Sequence, residues 1–356
     1  MSKILLFTEN LGSGGAERQL AGLAVFLKNK GYDVQVVTYL KRQFYEQYLI
    51  DNGVKYKLHP ELFNKYTRIF YLYKVIKFYN PSVIISFLPS ANISMCLAKI
   101  FYSCLLIVSE RSHTMTFDWK TKLRYNLYRI ADWIVPNSVS EADNIREHFS
   151  FLRKKIKSIP NFVDVEYFQP IPKWRINDVP TFLCVGRLIP SKNVIRLIDA
   201  VKLLVDKNIK LKFCWVGKQY DKKYLLEVQN KIEQYNLENI FYLKDQTENI
   251  LEEYQLADYF CLPTLYEGYP NVICEAMSCG LPIVCSNVYE NSKIVIEGEN
   301  GYLFDPNRVE EIKDSIIKIL SLDNLSLNIM KERNRNKVII NNSKDSFVEQ
   351  YISLFV

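Results

Sequence analysis

Residues 3–39 read KILLFTENLGSGGAERQLAGLAVFLKNKGYDVQVVTY. A near-continuous apolar run (3–8) passes through a glycine-rich loop into an amphipathic stretch (16–30) and then into a second β-branched run (33–39). That order is strand, loop, helix, strand. Apolar runs of this kind, without strict alternation, suit strands buried on both faces, so the segment predicts a βαβ unit of a parallel sheet. The rhythm continues outward through SVIISF (82–87), LLIVSE (105–110) and DWIVPNS (132–138), with helical patterns at 66–79 and 120–130. It breaks at VDVEYFQPIPKWRINDVP (163–180), which carries three prolines and no periodicity. It restarts with TFLCVG (181–186), LKFCWVG (211–217), NIFYL (239–243), YFCLPT (259–264) and PIVCSN (282–287). The expected architecture is α/β: two Rossmann-like, doubly wound domains at 1–165 and 181–341, joined by a linker at 166–180 and facing a central cleft. A last helical pattern occupies 342–356.

Composition narrows the function classes. The chain has 356 residues, nearly half of them apolar, enough for two cores. No apolar stretch reaches the roughly 18 residues of a membrane span, and MSKILLFTEN reads as a strand rather than a signal peptide, so a soluble, unexported protein is expected. The eight cysteines stand singly in apolar segments and are expected to be reduced core residues. Charge is divided unevenly. Residues 1–165 hold 23 Lys and Arg against 13 Asp and Glu, a balance of +10, while the remainder holds 23 against 26, a balance of −3. A basic N-terminal half calls for an acidic partner, either a phosphate-bearing substrate or an anionic membrane surface. Nucleic acid is disfavoured because no nucleic-acid-binding motif accompanies the charge.

Three loops at strand ends carry candidate chemistry. In TENLGSGGAERQL (8–20), Gly12, Gly14 and Gly15 let the backbone turn tightly and approach a ligand, and the helix start that follows can face an anion. The glycine spacing is not G-x-G-x-x-G, which argues against a nicotinamide cofactor. In VGRLIPSKN (185–193), Arg187 and Lys192 flank a proline turn and suit a diphosphate. In EGYPNVICE, Glu267 is expected at a strand end and Glu275 in the opening turns of a helix, where carboxylates can accept hydrogen bonds from sugar hydroxyls.

GGAER, VGRLIPSKN and LYEGYPNVICEAMSCGLPIVCSN, in that order and spacing, resemble the retaining nucleotide-sugar glycosyltransferases of family 4, which have the GT-B fold. The resemblance covers essentially the whole chain, and within the family it is to enzymes of capsule, O-antigen and lipid-linked oligosaccharide synthesis. It implies that Arg187 and Lys192 contact the donor diphosphate, that Glu275 holds the ribose hydroxyls, and that Glu267 lies at the transferred sugar. It also implies that Gly268, Tyr269, Pro270, Asn271 and Val272 form a loop whose backbone amides contact sugar and phosphate, and that Gly15 lies near the donor phosphate. The last helix, 342–356, is implied to cross back to the N-terminal domain. His113, in SERSHTMTF, is the candidate for the family's N-terminal active-site histidine. Asn193 departs from the pattern, standing where many relatives carry glycine.

The implied activity is transfer of a hexose or N-acetylhexosamine from a nucleotide diphosphate sugar, with UDP favoured, to a glycan acceptor on a polyprenyl diphosphate. No Asp-x-Asp pair occurs, so metal-independent transfer without a cofactor is expected, with Arg187, Lys192 and helix-start amides stabilising the leaving group. Basic residues alternate with aromatics in LFNKYTRIFYLYKVIKFYN (62–80) and DWKTKLRYNLYR (118–129), and RKKIK (153–157) adds charge. Together they suggest a protein peripheral to the inner face of the plasma membrane. Two other readings remain open: a sugar-nucleotide-binding partner subunit without turnover, and an epimerase or hydrolase of the same architecture.

Overall fold

The computed structural model describes residues 2–64, 67–171 and 177–355. Lys65 and Tyr66 of the first aromatic segment, residues 172–176 of the expected linker and Val356 of the expected last helix lie outside them. The chain divides into two compact units, Met1–Phe162 with Lys344–Val356, and Val163–Ser343. The remaining described residues of the expected linker fall within the second unit.

The first unit is built on strands β1 (Lys3–Phe7), β2 (Asp33–Thr38), β3 (Lys55–Leu58), β4 (Val83–Phe87), β5 (Leu105–Glu110) and β6 (Trp133–Pro136). They pair in parallel in the order β3-β2-β1-β4-β5-β6. Successive side chains of a strand point to opposite faces, and here both faces are covered. Ile4 and Leu6 enter one apolar cluster, Leu5 and Phe7 the other. That double burial is why the strand reads as an unbroken apolar run. The helix Lys344–Ile352 also belongs to this unit, sending Phe347, Val348 and Tyr351 into the cluster of Ile4 and Leu6. Phe162 lies between, with ring centroids 4.9 Å from Phe26 and 5.4 Å from Phe347. Gln19 clasps its backbone, donating to Phe162 O at 3.0 Å and accepting from Phe162 N at 2.8 Å.

The second unit repeats the plan with β7 (Thr181–Val185), β8 (Lys212–Val216), β9 (Phe241–Lys244), β10 (Tyr259–Leu262), β11 (Ile283–Ser286) and β12 (Gly301–Phe304), in the order β12-β11-β10-β7-β8-β9. Counted within the unit, this is the first unit's order again. In both sheets the order reverses between the first and fourth strands, β1 and β4, then β7 and β10. At such a reversal the two following loops diverge to opposite faces and leave a crevice beyond the strand ends, where ligands of open α/β sheets bind. Two strands, β3 and β12, were not anticipated. The eight cysteines are all free and buried or half-buried. Among the described residues no helix is long and apolar enough to cross a membrane.

Candidate active site

The reversal in the second sheet brings together the loops that follow β7 and β10. The first carries Arg187 and Lys192, the second Glu267. The loops are tied by backbone: Leu265 N donates to Ser191 O at 2.9 Å, and Thr264 Oγ1 donates to the same oxygen at 3.2 Å. Lys192 ends a short 3₁₀ turn, Pro190–Lys192, and its Nζ lies 2.5 Å from Glu267 Oε2, both side chains being mostly buried. The sheet topology, rather than proximity in sequence, makes this pair.

Asn193 preserves the turn that glycine would make. Its backbone is left-handed (φ 61°, ψ 34°), a conformation that asparagine tolerates better than most residues. Its buried Nδ2 donates to Pro263 O at 3.1 Å and to Pro306 O at 2.7 Å, binding the Lys192 turn to the end of β10. Arg187 stands differently. Its side chain is exposed, and its loop is held from behind: Leu188 N donates to Lys218 O at 3.0 Å and Gly186 N to Val216 O at 3.0 Å. Gly217 is required by that seam, since a Cβ there would lie 2.0 Å from Gly186 O.

Glu275 sits in the helix Asn271–Ser278 and is buried, accepting from Tyr254 Oη at 3.0 Å. Tyr254, on the helix Ile250–Leu256, gave no signal in the sequence beyond an apolar periodicity. In the loop before Glu275, Gly268, Asn271 and Val272 are half-buried and Pro270 is buried. The Tyr269 ring is packed among apolar residues of this unit, its hydroxyl accepting from Asn342 Nδ2 at 2.6 Å, so only its backbone can face a ligand. Asn271 N–H donates to Tyr269 O at 3.0 Å and is used inside the loop.

In the first unit Gly15 is exposed at the start of the helix Gly15–Asn29, after Gly14 at the N-cap. Beside the sheet reversal, Leu88 has φ 78° and ψ 145°, a region that costs a non-glycine residue about 1–3 kcal/mol. His113 follows β5. Its Nδ1 lies 2.9 Å from Glu141 Oε2, with the histidine side chain 15% exposed and the glutamate wholly buried. Burial pushes the Glu141 carboxyl up, but the contacts from His113, Thr114 and Asn144 outweigh it and hold the group below its ordinary value. Glu110, equally buried, is pushed up by its burial, against the pull of Arg124. Tyr128 Oη donates to Glu110, as does Asn92 Nδ2 at 3.3 Å.

The basic segments divide on inspection. Arg68 is a structural cation, donating to Leu62 O at 2.6 Å and Phe63 O at 3.1 Å with its guanidinium 4.4 Å from the Tyr39 ring. In RKKIK, Lys155 donates to Arg129 O and Ala131 O and Lys157 to Ser353 Oγ, so part of that run serves the fold. Exposed on two helices are Lys74, Lys77, Phe70 and Phe78 of Arg68–Tyr79 and Trp119, Lys120, Lys122 and Leu123 of Trp119–Leu127, with Arg129, Arg153 and Lys154 exposed beyond them.

Two family models match the chain in tandem. The model described as Glycosyltransferase Family 4 matches residues 13–167, and that described as Glycosyl transferases group 1 matches residues 170–337. A UDP-Gal:alpha-D-GlcNAc-diphosphoundecaprenol alpha-1,3-galactosyltransferase of Escherichia coli is 31% identical over 57% of this chain and 55% of its own length, so the match spans about half of that relative. A Campylobacter jejuni alpha-1,4-N-acetyl-D-galactosaminyltransferase acting on an undecaprenol-diphosphate-linked glycan is 27% identical over 97% of this chain and 93% of its own. Among solved structures, a glycosyltransferase from Rickettsia africae superposes with a TM-score of 0.87 at 18% identity, over 99% of this chain and 97% of that one, which speaks to the fold.

Proposed function

The chain belongs to family 4 of the GT-B glycosyltransferases, and on that premise we propose that it moves a hexose or N-acetylhexosamine from a UDP-sugar to a polyprenyl-diphosphate-linked glycan in bacterial surface polysaccharide synthesis. The observation that carries this reading is the Lys192–Glu267 pair at the sheet reversal of the second unit, with Glu275 buried on the helix that follows. Lys192 and the exposed Arg187 meet the diphosphate, and Glu275, steadied by Tyr254, accepts from the ribose hydroxyls. Glu267 stands at the sugar. The backbone of Gly268, Tyr269 and Val272 completes the donor contacts. The E. coli and C. jejuni relatives, whose names specify diphosphoundecaprenol-linked glycans, support the acceptor class.

The reaction proposed is the retaining one that membership of family 4 implies. The bond from the anomeric carbon to the diphosphate oxygen breaks, and the acceptor hydroxyl oxygen bonds to that carbon on the same face. Its proton passes to the departing diphosphate, so the configuration is retained. Lys192 and Arg187 stabilise the developing negative charge without a divalent ion.

The exposed lysines and aromatics of the helices Arg68–Tyr79 and Trp119–Leu127 would rest on anionic headgroups, bringing the enzyme to its lipid-linked acceptor. Each well-placed cation contributes about 1 kcal/mol. The substitution K74E/K77E should release the protein from phosphatidylglycerol vesicles in sedimentation, and equal binding by that variant would remove the membrane part of the reading.

Transfer is tested by incubating the protein with UDP-galactose, UDP-glucose and their N-acetyl forms plus polyprenyl-diphosphate-linked sugars, with products read by mass spectrometry and the linkage by NMR. One donor should yield a product one sugar longer with its anomeric configuration kept. Folded protein giving neither transfer nor donor hydrolysis with any of them would sink the enzyme reading, and inversion would sink the mechanism.

A further inference from the structure

Ser138 and Glu141 have the spacing of a helix-capping box, Ser-x-x-Glu, in which the glutamate ordinarily reaches back to the N-cap backbone. Half of that motif is present: Ser138 Oγ accepts from Glu141 N at 3.1 Å at the head of the helix Val139–His148. The Glu141 carboxylate is engaged elsewhere. Its Oε2 lies 2.9 Å from His113 Nδ1 and accepts from Thr114 N at 2.9 Å and Asn144 Nδ2 at 3.2 Å. Its Oε1 accepts from Thr114 Oγ1 at 2.6 Å and Tyr125 Oη at 3.2 Å.

We infer that Glu141 is a positioning residue that fixes the tautomer and orientation of His113 for contact with a sugar hydroxyl. This role rests on the proposed transferase activity, and on three features of the geometry. First, a wholly buried carboxylate gripped through both oxygens by Thr114, Tyr125 and Asn144 has one fixed orientation, so the imidazole beside it is aimed as well. Second, an anion 2.9 Å from Nδ1 favours the ring proton on that nitrogen, and in that tautomer Nε2 is the accepting nitrogen of the ring. Third, His113 follows the C-terminal end of β5, on the side of the sheet where open α/β folds bind ligands.

The charged surroundings agree with a permanent anion at Glu141. Arg124 lies between the two buried carboxylates, its Nη2 donating to Thr114 Oγ1 at 3.4 Å and its Nη1 3.7 Å from Glu110 Oε2. Glu110, Tyr125 and Arg124 are the other titratable groups facing this pocket, and they come from β5 and the helix Trp119–Leu127.

The chain has three histidines, so ¹⁵N-histidine NMR of the full protein resolves the ring nitrogens of His113 against two internal references, His59 and His148. Glu141→Gln, which keeps the shape and removes the charge, should shift the His113 ring nitrogens and leave the other two unmoved. It should lower kcat about ten- to hundredfold with the donor KM held. In a His113→Ala background the same substitution should have no further effect on kcat, which a merely structural role would not produce. If Glu141→Gln unfolds the unit, Glu141→Asp, which keeps the charge and shortens the reach, should show the same shift and loss. Unchanged His113 nitrogens in the folded variant, or an equal loss of kcat in both backgrounds, would overturn the inference. Absence of turnover by the wild-type protein strikes the proposed function instead, and the NMR arm still decides the pairing.

Discussion

The two units share a strand order and differ in where they keep their charges. In the second, the ionic chemistry lies in loops at the sheet reversal, where Lys192 and Glu267 are mostly but not wholly buried. In the first, two glutamates are wholly buried behind the strand ends, and the side chains beside them, His113 and Arg124, are only slightly exposed. One scaffold thus supports two arrangements, a partly exposed charge pair in the loops and a buried carboxylate set against a histidine. The difference shows that the sheet decides where a site can form, and the loop side chains decide what it does there.

The contrast between the units is largest at Lys192. If the second unit stabilises the departing diphosphate, Lys192→Ala should lower kcat about 10²- to 10³-fold in steady-state assays. A loss below threefold would assign that work elsewhere. Next comes the seam behind Arg187. Gly217→Ala puts a methyl group where Gly186 O stands, and should destabilise the second unit by about 3 kcal/mol in urea unfolding while leaving the first unit's transition in place.

Glu275→Ala should weaken UDP binding about tenfold by calorimetry, because charge-assisted hydrogen bonds to ribose are lost. The corresponding change in the first unit, at Glu141, should leave UDP affinity as it was. The smallest effect is on acid stability. Glu141 is held below its ordinary value of 4.5, so on acidification the unfolded chain takes up this proton first. Its contribution is complete above about pH 4.5 and is lost as pH falls through the folded value. Glu141→Gln should therefore flatten the acid limb of the first unit's stability curve, and a limb of unchanged slope would show that other groups set it.

Ten of the twelve strands described can be read in the sequence because they appear as apolar runs, most of them buried on both faces. The two missed, β3 and β12, each lie at one edge of their sheet, as do β6 and β9, which were read. KYKL in β3 alternates exposed lysines with half-buried residues, and GYLF in β12 is short and opens on glycine, so neither makes a run. At the site, Lys192 and Glu267 could be named from their loops, but their contact follows from the crossover order, which residue spacing does not encode. Asn193 reads as a departure from glycine and adopts glycine's backbone conformation. Tyr254 was illegible because a buried tyrosine on an amphipathic helix looks like any core residue. Glu141 left a trace in Ser-x-x-Glu, but the motif points to a helix cap and gives no hint of His113.

The division of the chain has a consequence for its synthesis. The first unit needs Phe347, Val348, Tyr351 and Leu354 to complete the apolar cluster over β1, yet these residues are made only after the whole second unit. The second unit is one continuous segment and can close as soon as it is made. Until residues 344–355 arrive, the nascent first unit carries an open apolar face over Ile4 and Leu6, a ready surface for a chaperone to cover.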